Sequence, residues 1–417
     1  MKVAVVGAGW AGLACAVAAV SAGHAVTVFE AGRTAGGRAR TVNGTPPLDN
    51  GQHILIGAYT DTLALMRTVG ADPDALLLRL PLTLRFPDGG GIALPRWPAP
   101  LDLLAGIATA RGWSWADRWS LLRAALRWRW AGFRCAPEAT VADLCAGIAR
   151  RPMEDLIDPL CVSALNTPAD EASGAVFLRV LHDALFAAPR GGDLLLPRAD
   201  LGALLPEPAQ RWLAARRAAV LTGHRVQTVV ADGAGWQVDG VAFARVVLAC
   251  PPGEAARLAR ATGDPAAAAW ADRADALRFE AIATVYATAL RGLAEPMLAL
   301  RSTDATQAPA QFVFDRGRLG GPAGLLAFVV SASRLPRADI EAGVVRQAAD
   351  ALGTEIRVVQ TIVEKRATFA CTPGLARPGL HIAPGLLACG DYLDGPYPAT
   401  LEGAVRSGRQ AAAAICS

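Results

Sequence analysis

Between Val3 and Phe29 the chain has no lysine, arginine, aspartate or glutamate, and it opens on Lys2 followed by an apolar run of small residues. Such a run imitates an export leader or a membrane span. Its glycines decide against both. Val3 to Val6 is a short β-rich stretch, Gly7-Ala8-Gly9-Trp10-Ala11-Gly12 follows, and an alanine-rich helical stretch runs to Ala22 and stops at Gly23. A second β-rich stretch covers Ala25 to Glu30. The pattern is strand, glycine turn, helix, strand, with an acid at the end. Gly7 permits the tight turn, Gly9 lets a pyrophosphate approach the backbone, and Gly12 lets the helix pack closely on the strand. The helix start at Trp10 and Ala11 offers amide N–H groups and a positive dipole end to phosphates. Glu30, with Ala31 behind it, stands where a carboxylate takes the hydrogen bonds of an adenosine ribose. A lone G-x-G-x-x-G is weak, but in this context it predicts a dinucleotide-binding βαβ unit.

The 417 residues allow two or three domains with a large core. Charged residues are 19% of the chain, against about 25% in an ordinary globular protein. A net charge of +4 is too dilute for a nucleic-acid partner. The eight cysteines contain no C-x-x-C pair and no histidine at ligand spacing, so neither a disulfide framework nor a metal site is expected, and a reducing, cytoplasmic compartment is.

Eight residues beyond Glu30 the chain reads Gly36-Gly37-Arg38. This segment resembles the second phosphate-contacting stretch of the amine oxidase and phytoene desaturase superfamily of FAD enzymes, which implies FAD as the cofactor, with Gly37 and Arg38 along its pyrophosphate and flavin side. At the far end a buried strand, Gly385 to Cys389, leads to Gly390-Asp391, and a helix is expected from about Thr400 and Leu401 to Ile415. An aspartate there can hold ribitol hydroxyls, and the helix can aim its dipole at the flavin N1 and C2 carbonyl. The resemblance further implies that Gly51, Gln52 and His53 pass the flavin ring and that the Val226 backbone meets the adenine. The expected fold is α/β. Residues 1–75, 196–262 and 379–417 form a discontinuous Rossmann-like FAD domain of the glutathione reductase type. Residues 76–195, read mainly as helices, and 263–378, read as strands with one helix near 338–351, form an inserted α+β substrate domain. No second G-x-G-x-x-G appears with a flanking strand and helix, so reducing equivalents are expected from an external reductant.

Six of the ten tryptophans lie between Trp97 and Trp130, and from Arg96 to Arg134 seven arginines face only Asp102 and Asp117. Ser114 to Asp117 reads as a capping box. On a helical wheel Trp115, Trp119, Leu122, Leu126 and Trp130 share one face, arginines flank it, and Leu121, Ala124 and Trp128 lie opposite. Two apolar stripes separated by arginines suit a helix packed on protein with one face and set into a lipid interface with the other. The alternative is a core helix with surface arginines. Segment 97–134 is therefore expected to make peripheral contact with the inner face of the cell membrane.

The strings Asn50 to Tyr59, Ala164-Leu165-Asn166-Thr167-Pro168, Leu196-Pro197-Arg198 and Gly390-Asp391-Tyr392 to Gly403 resemble the squalene-associated FAD-dependent desaturase family, the hydroxysqualene dehydroxylases. That resemblance implies reductive dehydroxylation: hydroxysqualene, a C30 isoprenoid alcohol made by an upstream synthase, loses its hydroxyl, gains hydride from reduced flavin N5 and becomes squalene for hopanoid synthesis. Ionising an allylic C–O bond needs a proton donor at the oxygen. His53 is the first candidate, with Asp49, Tyr59, Tyr392, Asp394 and Tyr397 as alternatives; Gln52 and His53 can equally serve only to bind the flavin. Asn166 either binds the leaving hydroxyl or is a turn residue before Pro168. Rival readings are a carotenoid desaturase or isomerase, an amine oxidase with Lys365 as its only flavin-proximal lysine, and a non-catalytic prenyl-lipid-binding flavoprotein.

Overall fold

The uncharged first run folds as strand Lys2–Val6, helix Trp10–Ser21 and strand Ala25–Glu30. A computed structural model of the chain describes residues 1–415 apart from Asn43, Thr45, Pro46, Ala188 and Thr303. Five parallel strands lie in the order Ala219–Thr222, Ala25–Glu30, Lys2–Val6, Arg245–Leu248 and Leu386–Ala388, and His381–Ala383 adds an antiparallel edge. Val3, Ala4 and Val5 are wholly buried, as a strand covered on both faces requires. One face is covered by helices Trp10–Ser21, Pro206–Ala214 and Leu401–Ala414. The other is covered by Pro252–Arg260 and Pro265–Asp275. A side chain at Gly408 would bring its Cβ within 2.2 Å of the Ala11 carbonyl oxygen, so only glycine lets the last helix lie this close to the fingerprint helix.

The second region is built on a five-stranded antiparallel sheet, Met297–Ala299, Phe312–Asp315, Leu325–Val330, Phe279–Ala289 and Ile356–Phe369. Alternation along its strands divides it between two cores. Val285, Val313 and Phe328 face helix Arg337–Leu352, whereas Tyr286, Phe314 and Ala327 face the helices between Leu101 and Ala187.

Several expectations need correction. Segment 76–195 is mainly helical, as expected, and its start also carries strands Leu77–Leu80, Thr83–Arg85 and Gly91–Ala93. Leu194–Pro197 pairs with Leu77–Leu80 and with Leu55–Ile56, so boundaries at 75/76 and 195/196 cut through one small sheet. Residues 265–275 form a helix on the cofactor domain, where the Trp270 indole donates to the Gly379 carbonyl. The signal was present in Asp264, which caps that helix, and Pro265 at its first turn. The seven described cysteines are free, and Cys416 lies outside the described residues. Among the described residues no helix is long and apolar enough to cross a membrane, and no cluster of metal-ligating side chains occurs.

Candidate functional site

The three fingerprint glycines are there for different steric reasons. Gly7 has φ +116°, and a Cβ on it would stand 2.6 Å from the Ala249 carbonyl oxygen. A Cβ on Gly12 would stand 1.9 Å from the Gly7 carbonyl oxygen. Gly9 is unlike both: the closest atom to a Cβ built there is the Gly37 Cα at 3.9 Å. The Gly36 N–H donates to the Ala8 carbonyl at 2.8 Å, so the glycine-rich loop 36–37 runs alongside the fingerprint turn. Gly9 and Gly37 thus face each other across a cradle of bare backbone at a helix N-terminus, which fits a pyrophosphate.

Around this cradle the predicted contacts gather. The Glu30 carboxylate accepts the Ala8 N–H at 2.8 Å and the Gly32 N–H at 2.7 Å, which fixes it at the strand end, with Ala31 exposed beside it. Trp10 is buried, its indole donating to the Ala39 carbonyl, so its side chain props the loop and only its backbone faces the cradle with that of Ala11. Arg38 pairs with Asp391 at 2.5 Å and donates to the Ala367 carbonyl. Burial works against the Arg38 charge, and the Asp391 and Glu364 carboxylates outweigh it and hold its pKa above the ordinary value. This contact joins the two ends of the chain, 353 residues apart, at one site. Val226 is buried beyond the strand Ala219–Thr222, and its carbonyl accepts from Arg257.

The 50–53 loop enters beside Arg38. The Asn50 amide donates to the Arg38 carbonyl and to Glu364. The Gln52 N–H meets the Thr284 hydroxyl, and the Gln52 amide oxygen accepts from Arg316. His53 Nδ1 lies 3.0 Å from the Gly51 carbonyl, so that nitrogen carries the proton and Nε2 of the neutral ring is an acceptor. Burial, with the Arg38 charge nearby, pulls the His53 pKa below 6.5. Asp49 is buried behind this loop between the Leu201 N–H at 2.8 Å and Arg316 at 3.5 Å, and burial raises its carboxyl to about 6. Glu364 and Thr284 were not foreseen, because nothing in their strand sequences separates them from ordinary sheet residues, and neither was Arg316, in the turn after Phe312–Asp315.

At the other pole Thr400 caps the last helix by accepting the Gly403 N–H, and Leu401 begins it. Tyr59 is half-buried beside Thr400 and Glu402, and desolvation pushes its hydroxyl far above the ordinary value. Tyr397 donates to Asp183, which also takes Arg179 and His182, and it lies under the Arg406 guanidinium at 5.0 Å. Gly390, Asp391, Tyr397 and Arg406 line a cleft of about 270 Å³ here.

Four candidates are placed elsewhere. Asn166 has φ +45° at a helix end, its amide nitrogen donating to Thr368 and its oxygen accepting the Ala332 N–H, as a turn residue does. Tyr392 is buried against Trp270 on the far face of the sheet, and Asp394 is exposed and paired with Arg377. Lys365 is exposed on strand Ile356–Phe369.

A wholly apolar cavity lies beyond the loop. It encloses about 560 Å³ including its open mouth, and its walls include Ile107, Leu121, Trp128, Leu156, Leu181 and Phe186. The same continuous core reaches Leu48, Ile54, Leu194 and Tyr286, beside the 50–53 loop.

Comparison with known proteins agrees with this architecture. The profile of the family described as flavin containing amine oxidoreductase matches residues 10–416. A hydroxysqualene dehydroxylase of Rhodopseudomonas palustris is 29% identical, over 98% of this chain and 96% of that protein. A zeta-carotene desaturase of Synechococcus elongatus is 35% identical, but over only 28% of this chain. The crystal structure of an oxidoreductase from Methanosarcina mazei superposes with a TM-score of 0.72 at 18% identity, covering 98% of this chain and 99% of that one. That last likeness speaks to the fold.

Proposed function

The chain belongs to the family of flavin-containing amine oxidoreductases, and from that premise we propose that it is an FAD-dependent oxidoreductase of the squalene pathway that reductively dehydroxylates hydroxysqualene to squalene. The observation that carries this reading is a backbone cradle closed by Arg38 and Asp391, joined through one core to a cavity with no polar wall residue. The whole-length similarity to a hydroxysqualene dehydroxylase supports the same substrate.

Bound FAD, once reduced, supplies the hydride that the allylic carbon takes up. The chain's own groups do the rest. Gly9 and Gly37 admit the pyrophosphate to the helix N-terminus, and Glu30 at the end of its strand is the ribose acid. The first turn of Leu401–Ala414 would offer its positive dipole end to a bound flavin. The apolar cavity takes the hydrocarbon chain and excludes water, so a cation formed there is not quenched by solvent. Departure of the hydroxyl as water needs one proton on its oxygen, and His53 is the residue we assign to deliver it. Since Nδ1 is committed to the Gly51 carbonyl, the delivered proton is the one on Nε2 of the imidazolium.

Anaerobic incubation of the dithionite-reduced protein with hydroxysqualene, and separately with a phytoene-like polyene, tests the reading. Squalene from the first and no change in the second are expected. Untouched hydroxysqualene together with a desaturated polyene under oxidising conditions would establish a carotenoid desaturase instead. A colourless purified protein that takes up no FAD would leave only a lipid-binding scaffold.

A further inference from the structure

Helix Trp115–Trp130 is capped as its sequence predicts, Ser114 and Asp117 exchanging both hydrogen bonds of a capping box. One face is buried, with Leu121, Ala124 and Trp128 in the core and Leu121 and Trp128 in the cavity wall. The opposite face is bare: Trp115 is 80% exposed, Trp119 61% and Trp130 84%. Trp97, Leu101 and Leu104 extend the bare face to the neighbouring helix Leu101–Thr109. A contiguous exposed group of four tryptophans with leucines is rare on a soluble surface and marks a contact surface.

The charges around it select the partner. Of the seven arginines between Arg96 and Arg134, none forms an ion pair with a carboxylate among the described residues, although many arginines elsewhere in the chain do. Arg118, Arg123 and Arg127 donate to backbone carbonyls, which do not cancel charge, and Arg118 also lies over the Trp115 ring at 5.0 Å. Asp102 and Asp117 are spent on backbone N–H groups of their own helices. The surface is therefore apolar in its centre and positive around it. Tryptophan and arginine both favour the boundary between hydrocarbon and headgroups, and arginine stems lie along the apolar side with the guanidinium in the phosphate layer.

We propose that this face docks on an anionic lipid bilayer, with Trp115, Trp119, Trp130 and Trp97 in the interface and the unpaired arginines against lipid phosphates. The two helices that carry the face also wall the cavity, through Leu103 and Ile107 from one and Leu121, Ala125 and Trp128 from the other. Docking thus sets the cavity directly above the hydrocarbon, where a neutral isoprenoid resides. That last step rests on the substrate reading, whereas docking itself does not.

The test uses the FAD-loaded full chain without substrate, so its result is independent of the dehydroxylation assay. Flotation with phosphatidylglycerol/phosphatidylcholine vesicles is expected, weakening as salt rises and much reduced with phosphatidylcholine alone. The triple variant Trp115→Ala/Trp119→Ala/Trp130→Ala should lower the partition coefficient by about tenfold or more, given the area each indole buries. Arg129→Gln with Arg134→Gln should flatten the salt dependence while flavin absorbance stays unchanged. If the triple variant fails to hold its flavin, quenching of the parent's tryptophan fluorescence by brominated lipid replaces it, and an unquenched spectrum overturns the proposal. It is also overturned by a parent that does not float, by equal binding to neutral vesicles, or by a dimer that the tryptophan substitutions dissociate.

Discussion

Gly9→Ala and Gly12→Ala, made separately, should fail for opposite reasons. At Gly12 the new Cβ would lie 1.9 Å from the Gly7 carbonyl oxygen, where a C···O contact needs about 3.3 Å. Helix Trp10–Ser21 would have to retreat by more than about 1 Å, and the last helix, seated on Ala11 through Gly408, blocks the retreat. Overpacking costs typically about 1–3 kcal/mol, and a backbone obstacle puts this case near the upper end, about 3 kcal/mol. At Gly9 φ is −71° and ψ 179°, open to any residue, and the methyl meets nothing closer than 3.9 Å. The apoprotein should keep its stability within about 1 kcal/mol. The methyl would instead occupy the cradle, and loss of two charge-assisted N–H contacts to phosphate, at about 1.5 kcal/mol each, predicts FAD binding weaker by about a hundredfold. Thermal melts of the apoproteins and titration with FAD by fluorescence quenching separate the two. A Gly9→Ala protein that binds FAD within about threefold of the parent, or whose apoprotein melts as low as Gly12→Ala, would refute the reasoning.

Three further outcomes follow from the site. Because proton delivery by His53 requires its imidazolium and burial holds its pKa below 6.5, the single-turnover rate should rise as pH falls through and below 6.5; His53→Ala should abolish that limb with flavin absorbance retained, and an unchanged pH profile counts against the role. The Asp49 carboxyl is raised from 3.8 to about 6 in the fold, so the unfolded chain ionises first as pH rises and folding stability falls by about 2 kcal/mol between pH 4 and 6, the slope approaching 1.36 kcal/mol per pH unit between the two pKa values. The stability gap between parent and Asp49→Asn should shift by that amount over that range in urea titrations, and a gap independent of pH would show the carboxyl is not perturbed. Asn166→Ala forfeits hydrogen bonds to Thr368 and the Ala332 N–H and places alanine at φ +45°, for a loss of about 3 kcal/mol; the protein that remains folded should turn over at the parent rate, and a selective loss of turnover would return Asn166 to the substrate.

What the sequence makes legible is whatever repeats a backbone constraint. Gly7, Gly9 and Gly12 need close approach, Glu30 ends a strand at a fixed distance, and Thr400 caps a helix, so each announces its place locally. The two stripes of Trp115–Trp130 were readable for the same reason, since helical period alone separates them. Thr284 and Glu364 could not be read, because they reach the 50–53 loop only once their two strands have paired, nor could Arg316, which reaches it from the turn after Phe312–Asp315. The three short strands after Leu76 were obscured by a leucine-rich composition that suits helix and buried strand equally. Asn166 shows the converse limit: a motif string marked it, and its left-handed backbone accounts for it.

The seat of Gly408 on Ala11 also dictates an order of events during synthesis. The first thirty residues leave the ribosome with one flank of their helix bare, and the group that covers it is translated almost four hundred residues later. Arg38 likewise waits for Asp391. Nascent chains should therefore hold no flavin until helix Leu401–Ala414 has emerged.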